Sequence, residues 1–242
     1  LQGGNPIVQA LPHLNRPFSA SYFSLGSTMI KESFQIGNIL LSPISKSESP
    51  WFSMSTSPRV VNSAKGSFAG SLIGSMPAGS GTLGLSLRYF QSGEIIYRDS
   101  DGNDLGLIRP YATDFSLGYS LPVSEIWDMG LTLRYVSSDL TQGQINNTKL
   151  SGLLLDLGAH AELSDEMGLW MSIRNLGAML STEINTNGYA PTLFQMGWYN
   201  SAMRKDLQYG FQIEKSLAPT APNLDPSGVV TGGLALPESW AR

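Results

Sequence analysis

The chain has 242 residues, enough for one large all-β domain or two small ones. Its net charge is −4 and only 14% of its residues are charged, so it lacks a basic stripe to neutralise phosphates, and nucleic acid is not expected as a partner. The absence of cysteine excludes disulfides and thiolate metal sites.

Segments of about ten residues, in which apolar residues alternate with small or polar ones, recur along the chain. In GTLGLSLRYF, at 81–90, Leu85 and Leu87 face one way while Ser86 and Arg88 face the other. Because this is the length of a tilted membrane-crossing strand and helical periodicity is absent, the sequence predicts an all-β fold. Clear copies follow at 115–121, 127–135, 153–160, 167–174 and 207–214, and weaker ones lie near 17–25, 33–41, 67–76, 192–199 and 229–236.

The two faces of these predicted strands favour a membrane protein. One face carries Leu, Tyr or Trp at nearly every position, whereas the other is mostly Gly, Ser, Thr and Gln. A soluble β-sandwich, the alternative fold, would need Lys and Glu on its solvent face, where this chain has hardly any Lys. We therefore expect a transmembrane antiparallel β-barrel with its polar face around a wet lumen. The polar network expected in the lumen comprises Arg88, Arg134, Arg174, Asp128, Asp156 and Glu214.

The predicted connections alternate in length from Gly81 onward. Outer-membrane barrels have short periplasmic turns and longer extracellular loops, so we expect the long connections at the extracellular end and partner recognition there. The long connections are 93–112, 138–150, 179–191 and 216–228, and the short ones are 122–126, 162–166 and 200–206.

Few residues could support catalysis or hold a metal. The stretch RDSDGND at 98–104 resembles a calcium loop, but an EF-hand would need Gly and Glu where this chain has Asp104 and Pro110. Asp156 and His160 share a strand face about 13 Å apart, too far for a hydrogen-bonded dyad, so His160 is expected to be a polar filler. No nucleophile elbow, phosphate loop or zinc-protease motif occurs. We therefore expect no enzymatic activity, no cofactor and no metal.

Several segments resemble one family of outer-membrane proteins. The entry ALPHLNRPFSASY at 10–22, which follows Asn5-Pro6, is similar to the amino-terminal motif of FadL-like proteins. Within that group, EKSLAPTAPNLDPSG at 214–228 resembles the extension that PorV-like proteins of the type IX secretion system carry after a strand. Nearly the whole chain from Asn5 is similar to this family. The other segments that resemble it are 81–120, 133–140 and 155–177.

The resemblance implies a bacterial outer-membrane barrel of about fourteen strands, with 1–242 as one domain that is incomplete at both ends. It implies a non-enzymatic role: binding the C-terminal signal domain of secreted cargo at the translocon SprA and delivering it to the PorU-type sortase complex. The alternative is a FadL-like channel for hydrophobic solutes, which would need an apolar lumenal path. Residues expected to contact cargo or partners are Asp101, Asp104, Leu105, Leu107, Ile108, Arg109, Asn146, Asn147, Ala218, Pro222, Leu224 and Asp225.

Overall fold

The computed structural model describes residues 42–44, 46–61, 64–98, 101–139, 149–182, 190, 192–204 and 207–217. These residues form eleven β-strands. None of them belongs to a helix that is long and apolar enough to cross a membrane. The strands are β1 (Trp51–Val61), β2 (Ala64–Ala78), β3 (Gly81–Gln91), β4 (Ile95–Arg98), β5 (Asp104–Ile108), β6 (Tyr111–Pro122), β7 (Trp127–Asp139), β8 (Lys149–Ser164), β9 (Met167–Thr182), β10 (Leu193–Arg204) and β11 (Leu207–Ser216).

Nine of these strands form one antiparallel sheet in the order β1-β2-β3-β6-β7-β8-β9-β10-β11. Within this sheet, neighbouring strands follow one another along the chain and are antiparallel. The exception in chain order is that β3 pairs with β6, because β4 and β5 lie between them in sequence and are not part of this sheet. The predicted all-β fold is confirmed. The predicted segments near 17–25, 33–41 and 229–236 lie outside the described residues.

The two outer strands of the sheet, β1 and β11, are not paired with each other in the described part of the chain. Each therefore presents an edge there. Barrel closure stays a prediction, whereas one large antiparallel sheet is what the structure contains.

The sheet buries its polar face and exposes its apolar face. In β7, Leu133 is 45% exposed, whereas the next residue, Arg134, is fully buried. The same alternation occurs in β3 and β6, where leucines are exposed and serines are buried. A sheet that faced water would show the opposite pattern, because burying apolar surface is what stabilises it.

A short inner segment, consisting of residues 42–44 with Lys46 and Ser47, lies against the polar face. Pro43 covers Gly130, where an added Cβ would come within 1.9 Å of the Pro43 carbonyl oxygen. The side chain of Ile44 is buried against Gly158. These two glycines are required because any larger residue would collide with the inner segment.

The predicted long connection at 93–112 contains a hairpin formed by β4 and β5. At its base, the amide of Ser92 donates to the carbonyl of Pro110 at 2.9 Å, and Arg109 forms an ion pair with Glu94. Its strands form a separate two-stranded sheet instead of extending the main one.

Candidate functional site

Five charged side chains form a row across the polar face of five neighbouring strands. Their signs alternate, and all five are buried. From β3 to β9, they are Arg88, Asp114, Arg134, Asp156 and Arg174. We call this row the charge ladder.

Each arginine of the charge ladder contacts a carboxylate on an adjacent strand. Arg88 lies directly opposite Asp114 in the register and forms an ion pair with it. Arg134 reaches carboxylates on both sides, with its Nη1 3.4 Å from Asp114 and its Nη2 2.5 Å from Asp156. Because these charges are out of water, removing one partner of such a pair costs far more than removing an exposed one.

A β-bulge adds a second inward-facing residue next to the last arginine of the ladder. Pairing between β8 and β9 shifts at Asp156, and Asn175 adopts a left-handed backbone conformation with φ of 57°. Arg174 and Asn175 are consequently both buried opposite one residue. The Asn175 amide donates to Asp156 Oδ1 at 2.6 Å, while Arg174 Nε lies 3.8 Å from Asp156 Oδ2. Asp156 is therefore contacted from both neighbouring strands.

A second polar cluster surrounds Asp128 at the end of the sheet that carries the short turns. Lys46 of the inner segment lies 3.0 Å from Asp128 and 3.3 Å from Glu162. His160 places Nδ1 3.3 Å from Asp128 and Nε2 2.9 Å from the Tyr199 hydroxyl. Burial lowers the pKa of Lys46, but the hydrogen bond to Asp128 and the attraction of both carboxylates outweigh it, so that pKa is raised. The cluster attaches the inner segment to the sheet.

Glu214 lies in a third group, beyond the charge ladder. Its carboxylate accepts a hydrogen bond from Gln195 at 2.8 Å, and Gln195 in turn accepts one from Ser172 at 3.4 Å. The six residues expected in one polar network are thus divided among three groups. Arg88, Arg134, Arg174 and Asp156 lie together, while Asp128 and Glu214 lie elsewhere.

The chemistry that these groups can perform is electrostatic. In the described residues, no group of three or more His, Asp or Glu side chains is placed to hold a metal ion. The ladder combines three guanidinium groups with two carboxylates, which neutralise most of the buried charge. Its arrangement stabilises a buried face that is mostly polar, in which a few apolar side chains such as Val136 and Leu154 are buried beside the charges.

The β4–β5 hairpin presents apolar side chains at the end of the sheet opposite the short turns. Leu107 is 53% exposed and pairs across the hairpin with Ile96, which is exposed to the same extent. Leu105 is exposed too, whereas Ile108 is only 8% exposed. Ile108 pairs with Ile95 at the hairpin base and is largely covered there, so it offers a partner little surface.

The remaining residues expected to contact partners fall into two sets. Asp101 is exposed, Asp104 forms an exposed ion pair with Arg98 at 2.7 Å, and Arg109 pairs with Glu94. The others lie outside the described residues: Asn146, Asn147, Ala218, Pro222, Leu224 and Asp225.

Two residues that sequence reasoning missed are Asp114 and Ile96. Asp114 has the same parity as Ser116 and Ser120 in β6, so extending the predicted strand by one residue would have placed it on the polar face. Ile96 lies in GEIIYRDS, where no alternation is visible over so short a strand. Only the cross-strand pairing with Leu107 identifies it as part of an exposed surface.

No protein-family profile matches this chain, and no curated protein sequence is significantly similar to it. Its own residues therefore provide the evidence for a function. Three features bear on function: a sheet whose apolar face is exposed and whose polar face is buried, the charge ladder, and the β4–β5 hairpin with its exposed apolar side chains.

Proposed function

We propose that the chain forms the wall of a β-barrel in a bacterial outer membrane, with its apolar face toward lipid. The observation that carries this proposal is the inverted burial of the sheet. Large apolar side chains on one face of every central strand are exposed, and the opposite face is mostly polar and is buried. An apolar surface of this extent is unfavourable in water but is the surface that hydrocarbon requires.

The positions of aromatic residues support the same orientation. Trp127 and Tyr135 are the apolar-face aromatics of β7, and eight positions separate them, about 27 Å along the strand at 3.4 Å per residue. Aromatic residues at both ends of an apolar stretch are typical of strands that cross a membrane, where they lie at the headgroup level.

We further propose, from the resemblance to PorV-like proteins, that the chain is a non-enzymatic carrier in type IX secretion. It would bind the C-terminal signal domain of cargo at the translocon SprA and deliver it to the PorU-type sortase complex. The β4–β5 hairpin supports this role, because Ile96, Leu105 and Leu107 are exposed beyond the paired end of β3. Exposed apolar side chains in such a position are suited to a protein partner.

A channel for hydrophobic solutes has less support. It would need an apolar path, but the described polar face carries the charge ladder across five strands. Arg134 and Asp156 have no exposed surface, and Ile44 fills space beside the same strands. At that level of the described residues, a solute would meet buried charged groups on all five strands of the ladder.

Co-purification tests the carrier proposal. In native detergent extracts, the wild-type protein is expected to retain a cargo signal domain and SprA. Replacing Ile96, Leu105 and Leu107 by serine is expected to abolish retention of cargo, whereas serine at Leu153, on the apolar face of β8, serves as the control and leaves it intact. If the wild-type protein retains neither partner, the carrier function is wrong and the channel becomes the better candidate.

A further inference from the structure

An apolar groove of about 440 Å³ lies on the apolar face of β6 to β10. Its floor is Ala159, a small residue between two large ones, because the register places Met129 on one side and Met171 on the other. The next row of side chains, including Leu131 and Leu157, forms a wall of the groove. Flexible thioethers beside a small residue produce a depression that can adapt to an apolar occupant.

Neither of the two hydroxyl groups among the lining residues has a hydrogen left to donate to an occupant of the groove. Tyr119 donates its hydroxyl to the carbonyl of Ala78 at 3.1 Å. Ser172 points to the other face, where it donates to Gln195 at 3.4 Å. An interface with a protein partner normally has a polar rim that forms hydrogen bonds, whereas this groove continues into apolar surface along the sheet. A hydrocarbon chain fits it without leaving polar groups unpaired.

The turns that flank the groove determine which headgroup such a chain would carry. The β6–β7 turn contains Glu125, and the β8–β9 turn contains Asp165 and Glu166, all three exposed. Neither 123–126 nor 165–166 contains a basic residue, so the acidic side of the groove lies at β6 to β9, whereas the sequence where β10 ends and β11 begins carries Arg204 and Lys205. These carboxylates repel an anionic headgroup and attract one that bears an ammonium group.

We propose that this groove binds one acyl chain of a zwitterionic phospholipid, whose ammonium group lies at the acidic turns. The inference rests on the proposed function in one respect only, namely that the apolar face meets lipid. It adds a specific lipid site to what would otherwise be a uniform hydrocarbon contact.

Lipid retention tests the site. The full-length protein is reconstituted in equal amounts of phosphatidylethanolamine and phosphatidylglycerol, extracted in mild detergent and analysed by native mass spectrometry. We expect the wild-type protein to keep one phosphatidylethanolamine. Ala159→Phe fills the floor and is expected to lose this lipid, whereas Leu153→Phe, on the same strand and face, keeps it. Met171→Ala, which removes a wall without overpacking, provides a second variant that is expected to lose the lipid.

The headgroup is tested separately with Glu125→Gln combined with Glu166→Gln. This variant is expected to keep a lipid but to lose the preference for phosphatidylethanolamine. Equal retention by the Ala159→Phe and Leu153→Phe proteins would overturn the site. The site would also be overturned if the wild-type chain formed a dimer without a bound lipid and Ala159→Phe dissociated that dimer.

The failure of this inference can be told apart from failure of the proposed function. A protein that needs detergent but retains no lipid contradicts the groove alone. A protein that remains dissolved and folded in plain buffer contradicts both.

Discussion

Arg134 Nη2 lies 2.5 Å from Asp156 Oδ2, and neither side chain has any exposed surface. The pair joins β7 to β8 at the centre of the charge ladder. Because Arg134 also contacts Asp114, one guanidinium compensates carboxylates on two neighbouring strands.

Replacing Arg134 by methionine is therefore expected to destabilise the fold strongly. The change leaves two buried carboxylates with weaker compensation, and breaking buried pairs of this kind costs about 3–5 kcal/mol. The measurement is denaturant unfolding in detergent, followed by circular dichroism. Arg98→Met is the matched control, because its ion pair with Asp104 is exposed and is expected to contribute less than about 1 kcal/mol. Equal costs for the two variants would contradict the structural role of the ladder.

Leu133→Arg distinguishes a lipid-facing surface from one that meets water. If Leu133 faces hydrocarbon near the midplane, an arginine there is expected to cost about 2–4 kcal/mol. In a sheet whose apolar face met water, the same change at a half-exposed leucine would be nearly neutral. Leu105→Arg, in the hairpin and beyond the proposed membrane band, is the control, and refolding into lipid vesicles gives both values.

The inner segment is expected to loosen at high pH. The folded pKa of Lys46 is raised above its ordinary value of 10.5, so the ammonium group stabilises the folded state fully below that value. This contribution is lost as the pH rises through the folded pKa. The protection of the Ile44 and Ser47 amides from hydrogen exchange, relative to unprotected amides at the same pH, is expected to fall above about pH 10.5. Lys46→Met should show weaker protection already at neutral pH and no further fall there, and an unchanged pH profile of protection in this variant would show that other groups are responsible.

The orientation of the sheet can be measured with single cysteines, since the chain has none. Leu105→Cys in the hairpin is expected to react with a membrane-impermeant thiol reagent on whole cells. Glu125→Cys, in a short turn at the opposite end, is expected to react only after the outer membrane has been opened. The reverse pattern would place the hairpin in the periplasm, where it could not receive cargo outside the cell.

Alternation of side chains predicts much of the sheet because parity alone assigns a residue to a face. It places Arg88 and Arg174 on the polar face in this way. Parity does not determine which side chains meet across strands, since that depends on register. Parity therefore predicts that Asp128 belongs to the same network as the arginines, whereas Asp128 contacts Lys46 and His160 in the structure.

Two other features could not be predicted from the sequence. The bulge at Asn175 interrupts the alternation on which the strand prediction rests, so both Arg174 and Asn175 face inward. The contacts of the inner segment join residues distant along the chain, and no local pattern around Pro43 indicates that it covers Gly130. Long-range packing, unlike strand periodicity, has no short sequence signature.

The inner segment also imposes an order on folding. Its Lys46 bonds to Glu162, 116 residues later in the chain, so the attachment cannot form until β8 exists. Contacts of such high sequence separation are slow to form, because a long loop must first close. Pro43 lies so close above Gly130 that no side chain would fit between them. The earliest part of the described chain therefore gains its attachment only after β7 and β8, which lie more than 80 residues further on, have been made.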